Sequence, residues 1–132
     1  MLGQIDNTNT LVADFEAGLG TLSRVEPSNV DVFVVVAEPT VKSLEVAQRA
    51  LRMISDGGLG RAIMVGNRIA SAADEKMLRT IVTNERFVAV PDDAAIREAD
   101  AKGVAPFDFA PDAPAVKILR EIALSLADSN AM

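Results

Sequence analysis

The chain has 132 residues, 49% of them hydrophobic, and a net charge of −6, which fits one domain able to bury roughly two-thirds of its unfolded surface. It contains no cysteine, histidine, tyrosine or tryptophan. That excludes disulfides, thiolate metal sites, a cysteine nucleophile, Ser-His-Asp catalysis and the usual zinc and iron sites.

The negative charge repels nucleic acid and anionic lipid, and no basic cluster offsets it. The longest apolar run, Val32 to Ala37, is far short of the roughly twenty residues a membrane span needs. The amino terminus lacks the basic start and apolar stretch of a secretory leader. Cytoplasm is therefore the expected compartment, and neither nucleic acid nor membrane is an expected partner. Carboxylates, amides, hydroxyls, four lysines and backbone N–H groups remain for chemistry. Such a set suits magnesium and phosphate chemistry, or none.

Taken in chain order, the pattern predicts four short strands, each followed by a turn and most by a helix. The first strand is expected at about Thr10 to Ala13, where an apolar run stops at Asp14 and a flexible Ala17-Gly-Leu-Gly20 turn follows. The second, Val32 to Ala37, is apolar on both faces, as a central strand of a helix-covered parallel sheet should be. A helix follows with Val41, Leu44, Ala47, Leu51 and Ile54 inward and Lys42, Glu45, Arg49 and Arg52 on the other face. Gly57-Gly58 ends it.

The third strand is expected at about Ala62 to Val65. Ser71-Ala-Ala-Asp74 has the form of a capping box and opens a helix with Met77, Leu78, Ile81 and Val82 inward. The fourth strand covers about Phe87 to Val90, and a helix from Asp93 to Lys102 stops at Gly103. A last helix begins near Asp112 with Val116, Leu119, Ile122, Ala123 and Leu126 on its buried stripe. Residues 128–132 should fray. Alternating strand and helix implies parallel pairing with right-handed crossovers. The fold class is a three-layer α/β sandwich with a mostly parallel sheet of about four strands, one domain over residues 1–132.

Open parallel sheets bind ligands beyond the carboxyl ends of their strands. Four segments fall there: Asp14-Phe-Glu-Ala-Gly18, Glu38-Pro39-Thr40, Gly66-Asn67-Arg68 and Pro91-Asp92-Asp93. Asp14 suits a helix cap or a magnesium-bound water, and with Glu16 it forms an acidic pair. Gly18 and Gly20 supply positive φ, or an N–H for a terminal phosphate. Thr40 is a natural helix cap. Asn67 either closes a turn or pairs with the polar edge of a purine. Arg68 either stacks on that ring or stays solvated. Pro91 and Asp92 end a strand and cap a helix, or wall a base pocket. Arg97, Glu98 and Lys102 read as solvent-facing charges.

The order Val12-Ala-Asp-Phe-Glu-Ala-Gly-Leu19, Val34-Val-Val-Ala-Glu-Pro-Thr-Val-Lys-Ser-Leu-Glu-Val-Ala47, Val65-Gly-Asn-Arg68 and Val88 to Gly103 resembles the MinD/ParA-like P-loop ATPases. Within them it is most similar to the accessory ATPases that insert nickel into carbon monoxide dehydrogenase. The resemblance covers about Thr10 to Gly103 and implies a partial P-loop NTPase fold with ATP and Mg²⁺ as cofactors. It implies Asp14 as the magnesium-associated carboxylate, Gly18 as the switch glycine, Asn67 as the adenine reader and Pro91 to Asp92 beside the base.

No Gly-x-x-x-x-Gly-Lys-[Ser/Thr] stretch occurs, so the chain reads as the carboxyl-terminal half of such a domain. Gly20-Thr21 stands where the nickel-type proteins read Glu-His, and their paired cysteines are absent. The chain alone is expected not to hydrolyse ATP, because the backbone cradle and lysine that hold the phosphates are missing. The open readings are a nucleotide-binding remnant acting in regulation or metallocentre assembly, half of a two-chain ATPase, and a purely structural interaction domain. In this family the strand entering the phosphate loop lies between those ending at Asp14 and Glu38. Its absence implies a homodimer or a companion P-loop-containing chain.

Overall fold

The computed structural model describes residues 10–15 and 20–128. Three strands form one parallel sheet in the order β1-β2-β3: β1 is Val32–Ala37, β2 is Arg61–Ile69 and β3 is Arg86–Pro91. Between them lie α1 (Val41–Asp56) and α2 (Ala72–Arg79), and after them α3 (Ala94–Ala101), α4 (Pro106–Phe109) and α5 (Pro114–Ala127). The α/β class and the parallel pairing match the expectation. The strand count is three among the described residues, since Thr10–Ala13 takes up no strand pairing and its Leu11 and Val12 are exposed. The Glu16 and Gly18 readings, and residues 129–132 of the expected frayed tail, lie outside the described residues.

Three helices start at side-chain caps, whereas α4 and α5 open on Pro106 and Pro114 with no side-chain cap bond. Thr40 Oγ1 accepts the Ser43 N–H at 3.2 Å and opens α1. At α2 the N-cap Ser71 Oγ accepts from the Asp74 N–H (3.2 Å), and Asp74 Oδ2 reaches back one residue past the cap to accept the Ala70 N–H (2.9 Å), a variant of the predicted capping box. Asp93 caps α3 through the Ala95 N–H (3.0 Å), and its second oxygen accepts the Ala115 N–H of α5 (3.1 Å). α1 ends with Gly58 at φ 57°, where the Leu59 N–H reaches back to the Ile54 carbonyl at 3.0 Å.

The two sheet faces are covered differently. On one, Ala47 and Leu51 of α1, Leu78 of α2 and Ile81 in the turn after it pack against Ala37 and Met64. On the other, Ile63, Val65 and Val90 meet Ala115 and Ile122 of α5, with Val32 and Ile96 at the margin. A third cluster around the amino ends of β1 and β2 holds Leu22, Phe33, Ile54 and Leu59, with Phe15 packed against it. Of the expected inward stripe on α1, Ala47, Leu51 and Ile54 are buried and Leu44 packs at the edge, whereas Val41 is exposed in the first turn beyond the sheet. On α5 the buried side centres on Ala115, Ile118, Ile122 and Leu126, leaving Leu119 and Ala123 exposed. The bond from Ala115 to Asp93 sets that rotation.

Candidate functional site

The carboxyl ends of the three strands converge on Arg68. β2 does not stop at Val65, as its sequence suggests, but runs on to Ile69, so Asn67 and Arg68 stand in a strand extension and not a loop. A bulge between Gly66 and Ile69 makes this possible: Gly66 pairs with Ala89 and Ile69 with Pro91, so Asn67 and Arg68 together oppose Val90. The Asp92 N–H then donates to the Ile69 carbonyl at 2.9 Å and seals the strand end. Glycine suits position 66 at the entrance to the bulge, because an added Cβ would lie 2.9 Å from both Leu78 Cδ1 and Phe87 Cζ and those side chains would have to shift.

Arg68 adopts φ 58°, a left-handed conformation rare for a residue with a side chain. From there it spans all three strand tips: Nη1 lies 3.7 Å from Glu38 Oε1 after β1, and Nε lies 3.8 Å from Asp92 Oδ1 after β3. Asp92 Oδ1 also accepts from Arg97 Nη1 of α3 at 2.6 Å. These groups are about half exposed, so each pair contributes only about 0–1 kcal/mol. A left-handed non-glycine residue costs of the order of 1–3 kcal/mol, and strain of this kind gathers at ligand sites. The Asn67 side-chain amide sits beside Arg68, partly buried, with no hydrogen bond to the described residues. The amino ends of α1, α2 and α3 follow the same three strand tips, which favours an anionic or polar ligand there.

The structure thus brings together Arg68, Asp92 and, through the bulge, Asn67 and Pro91. Arg97 is solvent-facing as its helix position suggests, but its pairing with Asp92, like that of Glu38 with Arg68, carries no local signature because the partners lie 5 and 30 residues away.

Asp14 is not joined to this group. Its neighbour Phe15 packs into the cluster around the amino ends of β1 and β2, and no hydrogen bond or ion pair links Asp14 to Asn67, Arg68 or Asp92 among the described residues. No group of three or more carboxylates able to hold a metal ion occurs there either. Asp14 lies among the described residues while Glu16, its expected partner carboxylate, lies outside them.

A cleft of about 460 Å³ opens at the other end of the sheet, lined by Leu51, Arg61, Glu85, Arg86 and Ser125 among others. Burial alone would raise the Glu85 pKa. The Thr83 and Asn84 N–H groups and the Thr83 hydroxyl outweigh burial and hold it below the ordinary carboxylate range. Arg86 donates to Ser125 Oγ at 3.2 Å. With Glu85 ionised and Arg61 and Arg86 lining the same cleft, the charges there are of both signs.

No family model matches the chain. It is 28% identical over 124 residues to an uncharacterized ATP-binding protein of Methanocaldococcus jannaschii, covering 92% of this chain and 47% of that protein. It is 28% identical over 102 residues to the carbon monoxide dehydrogenase accessory protein CooC of Rhodospirillum rubrum, covering 76% of this chain and 39% of that protein. A second uncharacterized ATP-binding protein of M. jannaschii is 31% identical over 75 residues, 57% of this chain and 29% of its own length. The chain spans less than half the length of each of these relatives. No helix among the described residues is long and apolar enough to cross a membrane.

Proposed function

We propose, from the kinship of this chain with ATP-binding proteins that include a carbon monoxide dehydrogenase accessory protein, that its strand tips form the base-side half of a nucleotide site. In this reading the chain is a partial ATPase-like domain acting in regulation or metallocentre assembly, and it does not hydrolyse ATP alone. The observation that carries the reading is Arg68, held in a left-handed conformation between Glu38 and Asp92 with the unpaired Asn67 amide beside it.

Asn67 would donate to and accept from the polar edge of a purine. Arg68 would lie against the ring, with Pro91 and Asp92 as a wall. The ion pairs that Arg68 gives up are weak, so a stacked base can displace them at small cost. Asp14 and Gly18, given a role by resemblance alone, would act only beside a phosphate loop supplied by a companion segment. That segment would make a complete two-part ATPase. Without the loop there is no cradle of N–H groups and lysine to neutralise charge on the β- and γ-phosphates.

Calorimetric titration with ATP, ADP and adenosine tests this. All three are expected to bind weakly and with similar affinity, since the contacts are to the base, and Asn67→Ala is expected to weaken each at least several-fold. Steady phosphate release from the pure chain would overturn the inactivity, and adenosine binding indifferent to Asn67→Ala would overturn the site.

A further inference from the structure

Two cations compete for one carboxylate oxygen at the tip of β3, and they hold it unequally. Asp92 Oδ1 accepts from Arg97 Nη1 at 2.6 Å, while Arg68 Nε lies 3.8 Å from the same atom. The first contact is a short charge-assisted hydrogen bond; the second is beyond hydrogen-bond range and acts by charge alone. Arg68 is held no more closely on its other side, where Glu38 Oε1 stands 3.7 Å from Nη1. A guanidinium carries five N–H donors, yet the Arg68 side chain makes no hydrogen bond to any described residue.

The stronger claimant also stands on the firmer element. Arg97 projects from α3, whose cap Asp93 accepts both the Ala95 N–H at 3.0 Å and the Ala115 N–H of α5 at 3.1 Å, tying the two helices together. The neighbouring Glu98 is engaged with Lys102, and Asp92 is the one ion-pair partner of Arg97 among the described residues. Asp92 is itself pinned through its backbone, the N–H donating to the Ile69 carbonyl at 2.9 Å. Arg68, by contrast, sits in the bulge at φ 58°, a conformation that a residue with a side chain holds at a cost. Of the four charged groups, Arg68 is the one placed to move.

This competition has a direction. Without Arg97, Oδ1 loses its hydrogen-bond donor, and Arg68 Nε stands only about an ångström short of a charge-assisted bond to it. Arg68 would close that gap, and its loose bridge would become a clasp across the strand tips.

We propose that Arg97 is a positioning residue for the candidate base site: it occupies Asp92 Oδ1, so that the Arg68 guanidinium stays unclasped and able to turn onto a ligand. The proposal rests on the base-side reading given above. Arg97 acts through Asp92 and Arg68, and the size of the effect is bounded by what an exposed ion pair contributes, up to about fivefold in an equilibrium.

Adenosine titration of the whole chain, with the Arg68 Nε–H followed by nuclear magnetic resonance, tests it. Arg97→Ala is expected to weaken adenosine binding about two- to fivefold, and Arg97→Lys, which can still donate to Oδ1, to restore most of the loss. In an Arg68→Ala background, Arg97→Ala should leave the affinity unchanged, a silence that simple loosening of α3 would not produce. In the absence of ligand, the Arg68 Nε–H should exchange with solvent more slowly in Arg97→Ala than in the parent. Parent-like adenosine binding by Arg97→Ala, an equal loss in the Arg68→Ala background, or an unchanged Arg68 exchange rate would each overturn the proposal. A parent chain that binds no adenosine would remove the base-side reading and the ligand half of the proposal with it, and the Arg68 exchange rate would then decide the restraint by itself.

Discussion

Gly66→Ala tests the packing that shapes the strand tips. Gly66 is buried in β2 immediately before the bulge, and a methyl there would meet Leu78 Cδ1 and Phe87 Cζ at 2.9 Å. Carbon atoms in favourable contact sit about 3.5–4.0 Å apart, so both neighbours must give way by about half an ångström or more. Leu78 is 0% exposed and wedged within the α1/α2-side core, so moving it means leaving its rotamer, at about 0.5–1.5 kcal/mol. The Phe87 ring is only partly buried, but the Arg79 guanidinium lies 4.4 Å over its centre. Turning that ring sacrifices a cation–π contact of about 0.5–1 kcal/mol.

Overpacking costs about 1–3 kcal/mol in general, and replacing glycine returns about 0.4–1 kcal/mol by restricting the unfolded chain. The net expectation is a loss of about 1–2 kcal/mol, or roughly 3–10 °C in Tm for a domain of this size. Urea and thermal unfolding followed by far-ultraviolet circular dichroism would measure it for Gly66→Ala, Phe87→Leu and the double variant. The shorter leucine should relieve part of the clash, giving a coupling of at least about 0.5 kcal/mol. A Gly66→Ala chain as stable as the parent, or strictly additive changes, would refute the packing argument.

Three further outcomes follow from particular contacts. Asp93→Ala removes the α3 cap and orphans the Ala115 N–H, for a loss of about 2–3 kcal/mol; hydrogen exchange at Ala115 should rise with it. Glu85→Gln should cost about 0.5–1 kcal/mol near pH 7, the lost charge-assisted bonds being discounted for solvent screening. Because the folded pKa of Glu85 is lowered, its contribution is full above the ordinary carboxylate range and fades as the pH falls through the lowered value, so parent and variant should converge in acid urea titrations. Val41→Lys, at a position 66% exposed, should change stability by less than about 0.5 kcal/mol despite the apolar periodicity it breaks.

What the sequence disclosed was local, and what it hid was tertiary. Thr40 and Ser71 can be read as caps because each bonds three residues along, whereas the cap expected at Pro91-Asp92 falls one residue on, at Asp93. The bulge at Asn67-Arg68 could not, since Gly and Asn signal a turn and only the length of β3 keeps β2 paired to Ile69. The short α4 had Pro106 at its first turn as a start signal, but its four residues hold no periodicity to detect. Thr10-Leu-Val-Ala13 has strand-forming residues, yet a strand is completed by its neighbour, and among the described residues none lies alongside.

The same reasoning explains the most informative disagreement. Val32–Ala37 has the composition of a central strand, apolar on both faces, yet among the described residues it lies at the edge of the sheet with Val34 and Val36 exposed. A sequence shaped for edge exposure would carry a charge or a proline there, as β3 does.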